Sequence, residues 1–457
     1  MASTLAQLFT LWLAAFAVTL NASPVIRAVV DERATPPLPS VDKFYLPPPN
    51  LESYAPGAII RHRPPPNPIA AFAVDPIDLR ASYQLLYRTT DSLNQATATV
   101  LTVLVPHNAD FTKVLSYQVA EDAADQDCAP SYAFQLEHDT GPQNGTSTTQ
   151  AELLLIEAAL EQGWVVIAPD FLGPKAAFLA NALAGHATLD GIRAAKNSGS
   201  ITGISKNPTI AMWGYSGGSV ASMWAAELQP SYAPELVIAG AAVGGVVPNI
   251  TTVVTEINGK GNAGLIPAGV LGLAHQYPEL DAIVRQHILP QYKDEFYKAE
   301  NQCLGANSND FANKDIIGMF DDRNLVYTNP TAIKIITENG LGQRVPKIPM
   351  FVYKAIKDEV SPVAETDNLV QFYCKGGTTI QYLRDQNANH EQMAIIGAPK
   401  ALSWLIKRMN GKDHQKTCST STVFSALLDL DALKVLPKFL LDALLDLLGK
   451  PVGPIFG

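Results

Sequence analysis

One pentapeptide constrains this chain more than any other feature: Gly214-Tyr215-Ser216-Gly217-Gly218, which follows the apolar run TIAMW and precedes a helical pattern from Gly218 to Leu228. A serine between glycines at a strand-to-helix junction suits a turn sharp enough to lift its hydroxyl above the strand end. The same turn leaves the backbone amides after the serine free to donate. With 31 glycines in 457 residues the string alone is weak, and a glycine-rich helix start chosen for close packing is the competing reading. The flanking strand and helix favour the turn.

A serine hydroxyl is a poor nucleophile unless a base takes its proton, and that base needs a carboxylate to fix its tautomer. Asp358 directly follows the buried-strand pattern PMFVYKAI, in Lys357-Asp-Glu-Val. His390 lies five residues after TIQYLRD and opens the last helical stretch, HEQMAIIGAPKALSWLIKRM. The chain order Ser216, Asp358, His390 is the serine, acid, histidine order of α/β-hydrolases, each at the carboxyl end of a core strand. Glu359, Asp367 and Asp385 compete for the acid role; Glu359 and Asp367 are expected in the first turns of the following helix, where carboxylates favour the dipole. His62, His107, His138, His186, His275, His287 and His414 fall in loops, connections or the inserted segment and read as solvated or structural. His390-Glu391 lacks the second histidine of a zinc protease, and no CxxC or paired His/Cys spacing suggests a metal, so neither metal nor cofactor is implied.

Short β-rich runs begin at Tyr83 (YQLLYRT, ATVLTVLVP, VLSYQVA), followed by a helix near Gln150 to Gln162, the strand WVVIAPD, the TIAMWGYS turn and VIAGAAVGG. Near-continuous apolar strands separated by helices predict an α/β fold with a mostly parallel sheet covered on both faces. After Gly245 this rhythm stops, and residues 250–345 read as helical and loop-rich. An insertion there sits over the strands' carboxyl ends, as a cap does. The core is therefore expected at 83–249 and 346–418. Residues 23–82 are proline-rich and are expected to wrap the surface, because proline cannot serve a central strand. In the tail, 419–457, Lys434, Lys438, Asp442 and Asp446 recur every four residues beside a leucine-rich face. That pattern suits a helix docked on the body of the protein or one lying on a lipid surface.

Lys and Arg total 33 against 43 Asp and Glu, a net charge of −10, and charged residues make up only 17% of the chain. Phosphate contacts need clustered cations, so a nucleic-acid surface is not expected. Mean hydropathy is +0.07, yet beyond the amino terminus no uncharged run is long enough to span a bilayer. The block Leu8 to Leu20 precedes the first charged side chain apart from the terminal amine, Arg27, and predicts a secretory signal at 1–22, cleaved after Ala22. Export agrees with glycan-acceptor triplets at Asn144 and Asn249 and with an even cysteine count. The helix after His390 must run back from the sheet's carboxyl edge, bringing Cys418 to the opposite edge beside Cys374. Cys128 is then left to meet Cys303 in the insertion.

An ester hydrolase also needs donors for the tetrahedral oxyanion; one is the N–H of Gly217, after the nucleophile, and the other comes from the loop after an early strand. No HGGG stretch is present, and the loop in that place reads Ala120-Glu121-Asp122-Ala123. These residues resemble the fungal secretory lipases of the Candida antarctica lipase A type. The resemblance runs from about Leu38 to Cys418 and is carried by SYQVAEDAADQDCAPSYAF, APDFLGP, WGYSGGS, KDEVSP and NHEQ. It implies an α/β-hydrolase with the triad Ser216, Asp358 and His390, an oxyanion hole from Asp122 and Gly217, and a helical cap with a mobile flap. Family members often carry an aromatic residue where this chain has Ala120, so the acyl pocket does not transfer. The expected activity is that of a secreted serine lipase on acylglycerols, acting on lipid or other ester substrates. The alternatives are a short-acyl esterase acting on a secreted metabolite and, from another class, a catalytically silent binding protein.

Overall fold

The computed structural model describes residues 34–71, 75–138, 145–412 and 415–426. The expected signal at 1–22, Asn144, and the tail from 427 lie outside these residues. Among the described residues, ten strands form one sheet: β1 (Ile59–Arg63), β2 (Ala81–Thr90), β3 (Ala96–Val105), β4 (Asp110–Gln118), β5 (Trp164–Pro169), β6 (Thr209–Tyr215), β7 (Ile238–Gly244), β8 (Met350–Ala355), β9 (Ile380–Asp385) and β10 (Ser419–Val423). Their order is β1-β2-β3-β5-β4-β6-β7-β8-β9-β10. The pairs β1–β2, β2–β3 and β3–β5 are antiparallel and every later pair is parallel.

The central strands are apolar because both faces are covered. All six residues of β5 and of β8 are buried. Alternation sends Trp213 and Tyr215 of β6, with Phe351 and Tyr353 of β8, to the face covered by the helix His390–Met409. Met212, Met350 and Val352 point the other way, onto the helices Asn181–Asn197 and Gly217–Tyr232. This period of two commits each strand to one register.

Between β7 and β8 the chain is helical, with Ile250–Ile257, Leu265–Gln276, Pro278–His287, Leu304–Phe311 and Pro330–Glu338 as its longer helices. Ile266, Leu271, Phe296 and Phe311 from this segment share a core with Phe171, Leu172 and Phe178 of the loop after β5. Two disulfides join Cys128 to Cys303 and Cys374 to Cys418. Among the described residues, no helix is long and apolar enough to cross a membrane.

Three expectations need correction. Residues 419–423 form β10, parallel to β9 with Gln381 opposite Ser419, so the sheet extends past residue 418. Within the proline-rich arm, Ile59–Arg63 forms β1, at the sheet edge where no second neighbour is needed. His186 lies in no connection but within the helix Asn181–Asn197, where it is buried.

Candidate active site

β6 ends at Tyr215 and the helix Gly217–Tyr232 begins one residue after Ser216. Ser216 joins them with φ 48° and ψ −121°, a conformation that side chains rarely adopt and that turns Oγ away from the sheet. The bend is tight enough that a Cβ on Gly214 would stand 2.3 Å from the carbonyl oxygen of Gly218. The Ser216 N–H donates to the Gly244 carbonyl of β7 at 3.0 Å, which ties the turn to its neighbour.

His390 is the first residue of its helix, behind the N-cap Asn389 and a capping box closed by Gln392. Its Nε2 lies 2.9 Å from Ser216 Oγ, and its Nδ1 lies 2.7 Å from Asp358 Oδ2. The backbone of His390 is held from both sides. Its N–H donates to Glu359 Oε2 at 2.9 Å, and its carbonyl accepts from the Tyr215 hydroxyl.

Asp358 is buried just past β8, and its Oδ1 accepts the amides of Val360 and Ser361 at 3.0 and 2.8 Å. Its Oδ2 also meets the Nζ of Lys354 at 2.8 Å. Burial opposes the carboxylate's charge, but the hydrogen bond and charge of His390, with the Lys354 ammonium, hold its pKa well below the usual carboxylate range. The competing acids are engaged elsewhere. Asp385 accepts the amides of Asn387, Ala388 and Ala426, and Asp367 pairs with Arg384 at 3.1 Å. Glu359 does not start a helix as expected: the helix begins at Val363, and Glu359 instead reaches the His390 amide.

Across from this dyad, the loop after β4 presents Asp122 at φ 45°, 5% exposed. A Cβ on Gly217 would stand 1.9 Å from Asp122 Oδ1, so this carboxyl lies against the first residue of the helix. Gly217 is that helix's first residue, and its amide has no carbonyl one turn back. Oδ1 of Asp122 has no hydrogen-bond partner among the described residues. Burial pushes its pKa up to about 7, with the charge of His390 opposing. Glu152 pins the same loop, accepting the Ala120 amide at 2.8 Å and the Tyr117 hydroxyl at 2.7 Å. Ala123 packs against the Cys128–Cys303 bridge.

Sequence reasoning did not single out Lys354, Tyr215 or Glu152. A lone lysine inside an otherwise apolar strand, four residues before the acid, was the available signal for Lys354.

A mostly parallel sheet with a serine elbow after β6, an acid after β8 and a histidine after β9 defines an α/β-hydrolase. The chain belongs to the secretory lipase family, whose model matches residues 138–417. Lipase A of Arthroderma benhamiae is 50% identical over 418 residues, covering 91% of this chain and 89% of that protein. The trichothecene C-3 esterase of Fusarium sporotrichioides is 37% identical, covering 80% of this chain and 83% of its own. The crystal structure of Candida antarctica lipase A in its closed state superposes with a TM-score of 0.80 at 32% identity, covering 93% of this chain and all of that one.

Proposed function

We propose that the protein is a secreted serine lipase that cleaves acylglycerols through an acyl-enzyme on Ser216. The observation that carries this reading is the continuous contact from Ser216 Oγ to His390 Nε2 and from Nδ1 to Asp358. Ser216 Oγ attacks the ester carbonyl while Nε2 accepts its proton, and Asp358 stabilises the imidazolium that forms. The oxyanion forms beside the Gly217 amide. Asp122, whose burial favours its protonated form, supplies a second donor from its hydroxyl, as a neutral carboxylic acid does in other oxyanion holes. His390 then protonates the departing alcohol; in the second half it takes a proton from water attacking the acyl carbon and returns it to Ser216 Oγ as the acyl bond breaks and the acid leaves.

The segment 250–345 is taken as the cap over this site, consistent with the apolar core it shares with the loop after β5. Secretion brings with it cleavage after Ala22 and glycans on Asn144 and Asn249; Asn249 is exposed at a helix start. Intact-mass measurement of secreted protein before and after deglycosylation checks both features.

A p-nitrophenyl ester series from acetate to palmitate, run beside a triacylglycerol emulsion, tests the substrate class. The lipase reading expects long acyl chains and the emulsion to be cleaved. A preference for acetate with an inert emulsion would support the short-acyl reading, to which the 37% identical trichothecene esterase lends its name.

A further inference from the structure

Lys354 is the fifth residue of β8 and its side chain is 0% exposed. Removing an ammonium completely from water is costly and is offset only by close partners. Lys354 has two. Its Nζ lies 2.8 Å from Asp358 Oδ2 and donates to the Val246 carbonyl, also at 2.8 Å, where the chain leaves β7 for the insertion. Oδ1 of Asp358 is occupied by two backbone amides, so Oδ2 is the oxygen left for His390, and it is shared between Nδ1 of His390 and Nζ of Lys354. An apolar residue would pack in this strand without that desolvation cost.

We propose that Lys354 is a positioning residue for the reaction: its buried ammonium holds Oδ2 of Asp358 in place and limits how much of that carboxylate's charge is available to His390. The proposal rests on Ser216, His390 and Asp358 forming the triad. The other ionisable groups around this pair are Glu359 beside the acid, Tyr215 at the end of β6 and Tyr382 on β9, while Asp122 on the oxyanion loop interacts with His390. Burial raises the pKa of both tyrosines, which keeps them neutral. Among the described residues in this group, Lys354 is therefore the one cation, besides a protonated His390, that acts directly on Asp358. Burial lowers the lysine's own pKa, while the charge and hydrogen bond of Asp358 pull the other way.

With Lys354→Gln, a neutral donor still able to reach the Val246 carbonyl, the whole charge of Oδ2 falls on the imidazolium. The acidic limb of the kcat/KM profile then moves to higher pH by about one unit. kcat falls about tenfold as the carboxylate loses one of its fixing contacts, with KM unchanged. Rates are expressed per site labelled by an organophosphonate, so a poorly folded fraction does not enter the comparison.

A second comparison sets Asp358→Asn, which leaves the buried Lys354 ammonium without its carboxylate, against Asp358→Asn with Lys354→Met, in which both charges are gone. Because Lys354 acts through Asp358, the added Lys354→Met change is expected to cost no further activity. An unmoved acidic limb in Lys354→Gln would overturn the proposal, as would a full additional loss in the double variant. Should Lys354→Gln fail to accumulate, the Asp358→Asn pair decides. Wild-type protein that does not take up the phosphonate on Ser216 would instead contradict the triad reading itself.

Discussion

Nδ1 of His390 lies 2.7 Å from Oδ2 of Asp358, and this contact turns the other ring nitrogen toward Ser216. Asp358→Asn keeps the shape but offers the wrong donor to Nδ1, so kcat is expected to fall on the order of ten-thousand-fold. Asp385→Ala is expected to behave differently. It strips acceptors from three backbone amides, costing about 1–3 kcal/mol of stability, while kcat per phosphonate-titrated site stays near wild type. A dead Asp385 variant beside an active Asp358 variant would reverse the assignment.

Asp122 offers a donor that Gly217 cannot replace. Asp122→Leu is expected to lower kcat by about a hundred- to a thousand-fold with little change in KM, whereas Asp122→Asn, which keeps an N–H donor, retains more activity. Steady-state kinetics on a soluble ester distinguish these outcomes; equal losses in the two variants would remove the side chain from the oxyanion hole.

The two disulfides are expected to separate in their effects. Removing either pair costs about 2–4 kcal/mol. Loss of Cys128–Cys303 also frees the support beneath Ala123, next to Asp122, so kcat falls with stability. Loss of Cys374–Cys418, at the opposite edge of the sheet, lowers the melting temperature with kcat retained. Paired Cys→Ser variants measured by calorimetry and titrated kinetics check this.

Stability is expected to fall as pH rises from about 5 to about 8. Burial raises the carboxyls of Asp122 and Asp170 to about 7 and that of Glu152 to about 8, far above the value near 4 of an unfolded chain. The folded state therefore binds more protons than the unfolded state in this interval, and stability drops with pH. Two buried groups act oppositely. Burial depresses His186 to about 4, so its contribution fades as pH falls below about 6.5. Asp358, held low by His390 and Lys354, loses its contribution below about pH 4. The three carboxyls outnumber His186, so melting temperatures should peak in mild acid; a steady rise from pH 5 to pH 8 would contradict the balance.

The grouping of Ser216, Asp358 and His390 was legible because each follows a strand pattern, Ser216 after TIAMW, Asp358 after PMFVYKAI and His390 shortly after TIQYLRD, and the structure brings the three into contact. Other features were hidden by burial and by edges. The helix Asn181–Asn197 is buried on nearly every side, which erases its period, and its Gly185 packs so closely that a Cβ would stand 2.9 Å from the Trp224 backbone. The polar STSTV of β10 is mostly exposed and joins the sheet only through its edge pairing with β9. Lys354 was missed because a lysine reads as surface until its two partners are seen, and Glu359 was given the wrong place because its acceptor role depends on a histidine 31 residues away.

Ser216 is the residue proposed to attack the ester. An organophosphonate added at stoichiometric concentration, followed by peptide mass mapping, tests this assignment most directly. One label per chain on the peptide carrying Ser216 is expected, with Ser216→Ala unlabelled and slower by about a million-fold. A label on another residue, or a Ser216→Ala protein that still hydrolyses esters at the wild-type rate, would contradict the account.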